Sequence, residues 1–115
     1  MIRVSKGRCG VINTEALRRV EQGTGGKFAV IQVAAPRYRY WKKKSESFAP
    51  AYLNAYVANG AVIGARFGDQ QRDRAAKKAL RHAFPGRDII LLDINHIAEG
   101  GGGVHCLTQP MPFVE

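Results

Sequence analysis

Apolar positions in this chain fall into short runs whose period changes along its length. Ile2–Val4 reads as a short strand. Asn13 or Thr14 is placed to cap a brief helix over residues 15–20, with Ala16, Leu17 and Val20 on one face. The glycines of residues 23–26 end it. Residues 28–33, rich in branched and aromatic side chains, predict a strand that Pro36 closes. The stretch from there to Pro50 is polar and basic, which predicts a long connection or an exposed ribbon.

From Tyr52 the pattern sharpens. Tyr52, Asn54 and Tyr56 alternate with Leu53, Ala55 and Val57, the period of a strand with two different faces. Asn59-Gly60 is a tight hairpin signal, and residues 61–67 return as the partner strand. Asp69 is placed to cap a helix running to Phe84. In that helix Ala76, Leu80 and Phe84 recur every four residues, with Ala75, Ala79 and Ala83 beside them. Arg72, Arg74, Lys77, Lys78 and Arg81 are left for the outer surface. Pro85-Gly86 stops the helix. The unbroken apolar run of residues 89–92 predicts an interior strand covered on both sides. The expected fold class is therefore α/β, a mixed sheet with one main covering helix and an N-terminal extension. At 115 residues this is a single domain, read as an unassigned extension over 1–27 and a module over 28–115.

Charge changes the picture in the first part of the chain. Residues 1–48 carry eleven Lys or Arg against three acids, a net of +8, while residues 49–115 carry only +1. The basicity peaks at Arg37, Tyr38, Arg39, Tyr40, Trp41, Lys42, Lys43 and Lys44, where cations adjoin aromatic rings. Such a run can follow phosphates while its rings stack on bases, so nucleic acid is one candidate partner. A solvated loop or a lysine-protected strand edge explains the same residues.

Two cysteines, Cys9 and Cys106, without any other sign of a stapled secreted scaffold, predict free thiols in a reducing compartment, hence a cytoplasmic protein. No apolar window is long enough for a signal peptide core or a membrane span, so no membrane association is expected. His105 adjoins Cys106 and His96 lies nine positions earlier, but no metal-ligand spacing exists, so neither metal nor cofactor is expected. The place to look for chemistry is Gly100, Gly101, Gly102 and Gly103, followed by Val104, His105 and Cys106. Four glycines cost backbone entropy on ordering and suit a backbone that must approach something closely. A cysteine directly after them suits nucleophilic attack if its thiol pKa is lowered, although a buried structural cysteine also fits.

Four segments together resemble the agmatine deiminases and their bacterial-type peptidyl-arginine deiminase relatives. Ala51-Tyr52-Leu53-Asn54-Ala55-Tyr56-Val57-Ala58-Asn59-Gly60 is similar to the family's Tyr-x-Asn-Phe-Tyr-x-x-Asn-Gly segment. Arg66-Phe67-Gly68-Asp69, with Asp73 after it, resembles the Phe-Gly-Asp element, and Phe84-Pro85-Gly86-Arg87 the phrase ending the family's helix. The glycine run with Val104-His105-Cys106-Leu107-Thr108-Gln109 is similar to the catalytic-cysteine motif. Ala65 stands where a proline is usual, and Pro110 replaces a glutamine. The resemblance covers residues 51–110, reaches faintly back to residues 28–33, and does not include the first two dozen residues.

This resemblance implies a strand–strand–helix–strand module of an α/β propeller, with Cys106 as the nucleophile of guanidino-group hydrolysis. It implies that Gly101, Gly102, Gly103 and His105 shape the substrate loop, with His105 distinct from the family's acid–base histidine. A guanidino small molecule is the implied ligand. The acid–base histidine and the substrate carboxylates of the family precede the matched region, and no histidine occurs before His82 here. A truncated relative, inactive alone, is therefore expected. Were it active, Asp69, Asp73, His82, Asp93 and His96 would be the replacements to consider. A module without neighbours also predicts a homo-oligomer.

Overall fold

The computed structural model describes residues 2–4, 8–26 and 31–113. Its central unit is a three-stranded mixed sheet in the order β3-β4-β5, made of Tyr56–Ala58, Ala61–Arg66 and Asp88–Asp93. β3 and β4 are antiparallel and joined by the predicted two-residue turn, with Ala58 opposite Ala61 and Gly60 at φ 79°. β4 and β5 are parallel, from Ala61 opposite Asp88 to Arg66 opposite Asp93. A parallel pair needs a crossover, and the helix α2, Gln70–Ala83, supplies it. Asp69 caps α2 as its sequence predicts, accepting the Arg72 N–H at 3.3 Å. Leu80 of α2 closes on Val62 and Ile89 of the sheet, with Ala55, Phe84 and Leu91 around them.

A second parallel pair, β1 (Ile2–Val4) with β2 (Ile31–Val33), meets α2 through β2, and the helix α1, Arg8–Thr24, connects its strands. A larger core cluster joins Val33, Phe48, Tyr52, Ala65, Phe67, Ala76, Ile94, Ala98 and Val104. It draws on the loops before β3 and after β5, so the main core sits beneath the segments that carry the site. A short helix α3, Asn95–Glu99, follows β5 and leads into the glycines.

Three expectations need correction. The two-faced strand expected from Tyr52 begins only at Tyr56, because Tyr52 and Leu53 form a turn whose tyrosine is buried among aromatic rings. Residues 89–92 lie in an edge strand, not an interior one: Ile89 is buried, but Ile90 and Leu92 are 44% and 46% exposed. The helix expected over residues 15–20 runs over Arg8–Thr24, through Asn13 and Thr14; Leu17 is buried, whereas Ala16 and Val20 face solvent. Between Pro36 and Pro50 the chain is the long connection of the two alternatives, not the exposed ribbon. It makes a 3-10 turn at Tyr38–Tyr40 and lays Trp41 on Phe48, ring centroids 6.1 Å apart. Of the strand expected over residues 28–33, residues 28–30 lie outside the described residues.

Candidate active site

Register places the carboxyl ends of β4 and β5 and the start of β3 at one end of the sheet. Two carboxylates organise the exit from β4. Asp69 is fully buried and receives three donors from Arg37: the backbone N–H at 3.0 Å, Nε at 2.8 Å and an Nη at 2.6 Å. This charge-assisted fork holds the Asp69 carboxyl far below its ordinary range, against the opposing effect of burial. Asp73, one turn into α2, accepts the Tyr52 hydroxyl at 2.6 Å and the amides of Phe67 and Gly68 at 3.1 Å each. Burial, and then the bond to Asp73, push the Tyr52 hydroxyl well above its ordinary value and keep it protonated.

The exit from β5 carries the glycines. Ser45 and Ser47 donate their hydroxyls to the Glu99 carbonyl at 2.8 and 2.7 Å, and Ala49 N–H reaches the Ala98 carbonyl at 2.9 Å. These bonds strap the start of the loop to the chain before β3. Gly101 has φ 90°, a region glycine enters without the penalty a Cβ would bring. Val104 is buried in the larger core cluster and anchors the far end. Beyond it a 3-10 turn, His105–Leu107, leaves His105, Cys106 and Leu107 exposed.

Asn54 joins this turn to the sheet. Its Oδ1 accepts the His105 N–H at 2.9 Å, and its Nδ2 donates to Cys106 Sγ at 3.1 Å. Because a backbone N–H only donates, the amide oxygen must face His105 and the NH2 group must face sulfur. Gly103 lies so close that a Cβ there would stand 2.6 Å from Asn54 Cγ, so only glycine admits the contact. The Asn54 hydrogen bond is the main cause that lowers the Cys106 thiol from its ordinary value; the Gly103 backbone adds to it, and burial opposes it. Among the described residues, no cation, carboxylate or imidazole contributes. The result is an exposed thiol whose pKa is lowered by neutral dipoles.

This geometry meets an independent match in sequence. The sequence pattern of the Porphyromonas-type peptidyl-arginine deiminases fits residues 11–112. The chain belongs to that family. The agmatine deiminase of Medicago truncatula is 30% identical over 112 residues, covering 83% of this chain and 30% of that protein. That of Stutzerimonas stutzeri is 41% identical over 68 residues, covering 57% of this chain and 18% of the relative. The solved agmatine deiminase of C. jejuni superposes with a TM-score of 0.69 at 21% identity, over 91% of this chain and 32% of that one. At that identity the structural likeness is one of fold, and it is the fold the motifs imply. The chain spans less than a third of the length of the curated relatives it matches first.

As a member of this deiminase family, the chain brings together some of the residues its sequence singles out. Gly101, Gly102, Gly103, His105 and Cys106 form one loop, and a Cβ on Gly102 would touch Cys106 Sγ at 3.5 Å. His105 contributes its backbone N–H through Asn54. Asp69 and Asp73 are engaged at the β4 exit, and Asp93 accepts the N–H and side-chain amide of Asn95, which hold its carboxyl below the ordinary value. His82 and His96 are exposed.

The basic aromatic stretch is divided. Arg37 pairs with Asp69, and Trp41 is half-buried with its Nε1 donating to the Pro36 carbonyl at 3.2 Å. Lys44 stands 3.8 Å from Glu99. Arg39 stacks its guanidinium 5.0 Å from the Tyr40 ring centroid, and Lys42 and Lys43 are exposed. A cleft of about 600 Å³ lined by Arg37, Tyr40, Gln70, Gln71 and Arg74 lies on this side and does not include Cys106.

The alternating pattern gives Tyr52 and Asn54 no role beyond that of strand residues. Their one visible signal is the family segment at residues 51–60. Which of its polar members meets the cysteine depends on a contact across 52 positions.

Proposed function

We propose that this chain is a segment of a guanidino-modifying deiminase in which Cys106 is the nucleophile. Sγ, as thiolate, attacks the guanidinium carbon. The carbon–nitrogen bond breaks, ammonia leaves with an added proton, and water then releases the sulfur to give a ureido product. The observation that carries the reading is Asn54 Nδ2 at 3.1 Å from an exposed, glycine-framed sulfur. A cationic guanidino compound such as agmatine is the substrate class, in keeping with the names of the relatives. Neutral donors suit this class, because they favour thiolate without repelling a cation.

Proton transfer to ammonia and activation of water require a positioned acid–base group. No such group acts on Cys106 among the described residues. The 115-residue chain is therefore expected not to turn over by itself, the remaining groups coming from outside it. Ammonia release from agmatine is the test. Turnover by this chain that disappears in Cys106→Ala would overturn the expected inactivity. Alkylation by iodoacetamide at neutral pH, read by peptide mass spectrometry, is expected to be faster at Cys106 than at Cys9. Equal, slow labelling would remove the nucleophile assignment.

A further inference from the structure

We propose that Tyr52 and Asp73 are positioning residues for the cysteine loop, holding Asn54 where its amide meets Cys106. The segment that presents Asn54 packs Leu53 and Ala55 against the two core clusters, but it has few hydrogen bonds to the rest of the molecule. Upstream it is fixed at Ala49, by the bond to Ala98, and downstream it enters β3 at Tyr56. Between those points Asn54 bonds only to the loop it serves, at His105 and Cys106. The Ala51 N–H closes locally on the Ala49 carbonyl. Among the described residues, the other hydrogen bond from this segment to the body of the protein is the Tyr52 hydroxyl to Asp73.

That bond is built to be stiff. Tyr52 is 1% exposed and packs edge-on against Phe67, ring centroids 5.2 Å apart. Asp73 is held by α2 and by the amides of Phe67 and Gly68, so its carboxylate is fixed to the end of β4. The line from Asp73 through Tyr52 to Asn54 therefore refers the cysteine loop to the sheet and α2. An amide must sit within a few tenths of an ångström of its best position to donate well, and the loop cannot provide that precision, since four glycines carry no side chains to pack. Gly103 makes the tolerance narrow, because Asn54 fills the space where its Cβ would stand.

The inference rests on Cys106 being the activated thiol of the proposed reaction, and its test keeps the two apart. The pH dependence of Cys106 alkylation is measured by peptide mass spectrometry in the unaltered chain, Asn54→Ala, Tyr52→Phe and Asp73→Asn, with thermal melts alongside. Tyr52→Phe keeps the ring packing and removes only the hydroxyl. The expected result is a rise in the thiol midpoint in all three variants, with about threefold less reaction at neutral pH in Tyr52→Phe, equal to half a pH unit. A midpoint that moves in Asn54→Ala but stays in both Tyr52→Phe and Asp73→Asn overturns the positioning role and leaves the nucleophile intact. A thiol that titrates ordinarily in the unaltered chain and ignores Asn54→Ala overturns both. Should Asp73→Asn fail to fold, the Tyr52→Phe profile decides alone.

Discussion

The exit from β4 and the exit from β5 lie at the same end of one sheet and are built from opposite materials. After β4, two carboxylates have donors on every oxygen, and one of them is fully buried against an arginine. After β5, a single exposed thiol meets only an amide side chain and the backbone of Gly103 and of Cys106 itself. The Asp69 charge is matched by Arg37, and the Asp73 carboxylate by a hydroxyl and two backbone amides, all held by the fold. The thiol is given weaker, neutral help, which leaves its outer side free. The fold thus keeps its strongest electrostatics at the β4 exit and leaves the Cys106 thiol with neutral neighbours.

The largest expected effect falls on the charged side of this comparison. Asp69→Asn removes one member of a bidentate pair and leaves the Arg37 fork without its anion. Because the Arg37 side chain keeps 37% exposure, water offsets part of the loss, and about 2–3 kcal/mol of stability is expected to go at neutral pH. The sign with pH follows from the lowered carboxyl. Its stabilisation is fully present above the ordinary value of 3.8 and is lost as pH falls through the lower folded value. Urea melts of the two proteins should therefore differ most near neutrality and draw together in acid. Equal stability at pH 7 would show that the buried pair does not hold the junction.

Next in size is Gly103→Ala. The added methyl cannot coexist with Asn54 at 2.6 Å, so loop or amide must move. Overpacking costs about 1–3 kcal/mol, and the lower end is expected here because the displaced turn is exposed at His105–Leu107. The local consequence is larger than the global one: alkylation of Cys106 should slow by several-fold while the melting transition shifts only slightly. A labelling rate equal to that of the unaltered chain would mean that the tight approach has no bearing on the thiol.

The smallest effect is expected at the exposed cations. Neutralising Lys42 and Lys43 should change stability by less than about 0.5 kcal/mol, since both side chains face solvent. If the protein binds single-stranded nucleic acid, neutralising each phosphate-binding cation should flatten the dependence of log affinity on log salt by about 0.7. Filter binding across a salt series reads this directly. Arg37 is tied to Asp69 and Trp41 is laid on Phe48, while Arg39, Lys42, Lys43 and Lys44 are exposed.

Much of the module was legible in adjacent residues. Asn59-Gly60 specified the hairpin, Asp69 the cap of α2, the four-residue spacing of Ala76 and Leu80 its buried face, and Pro85-Gly86 its end. Each of these is a choice among a few backbone states made within one turn or two strands, so neighbouring side chains suffice to make it. The misread elements failed for the same reason. An alternating pattern at residues 52–57 and an apolar run at residues 89–92 are local facts, but whether a face is covered depends on what arrives from elsewhere. Tyr52 left the strand to meet Asp73, 21 positions on, and β5 stayed at the edge because β4 is its only partner among the described strands.

The sequence by itself determined the order of β3, β4, α2 and β5, the glycine loop, and the place of Cys106 within it. Tertiary structure alone decided that Arg37 serves Asp69 across 32 positions and that Asn54 meets Cys106 across 52. Those pairings are separated by whole elements. The first exists only once β2 has packed against α2, the second only once the parallel β4–β5 pairing has brought the cysteine loop beside the start of β3, and no local propensity encodes those distances.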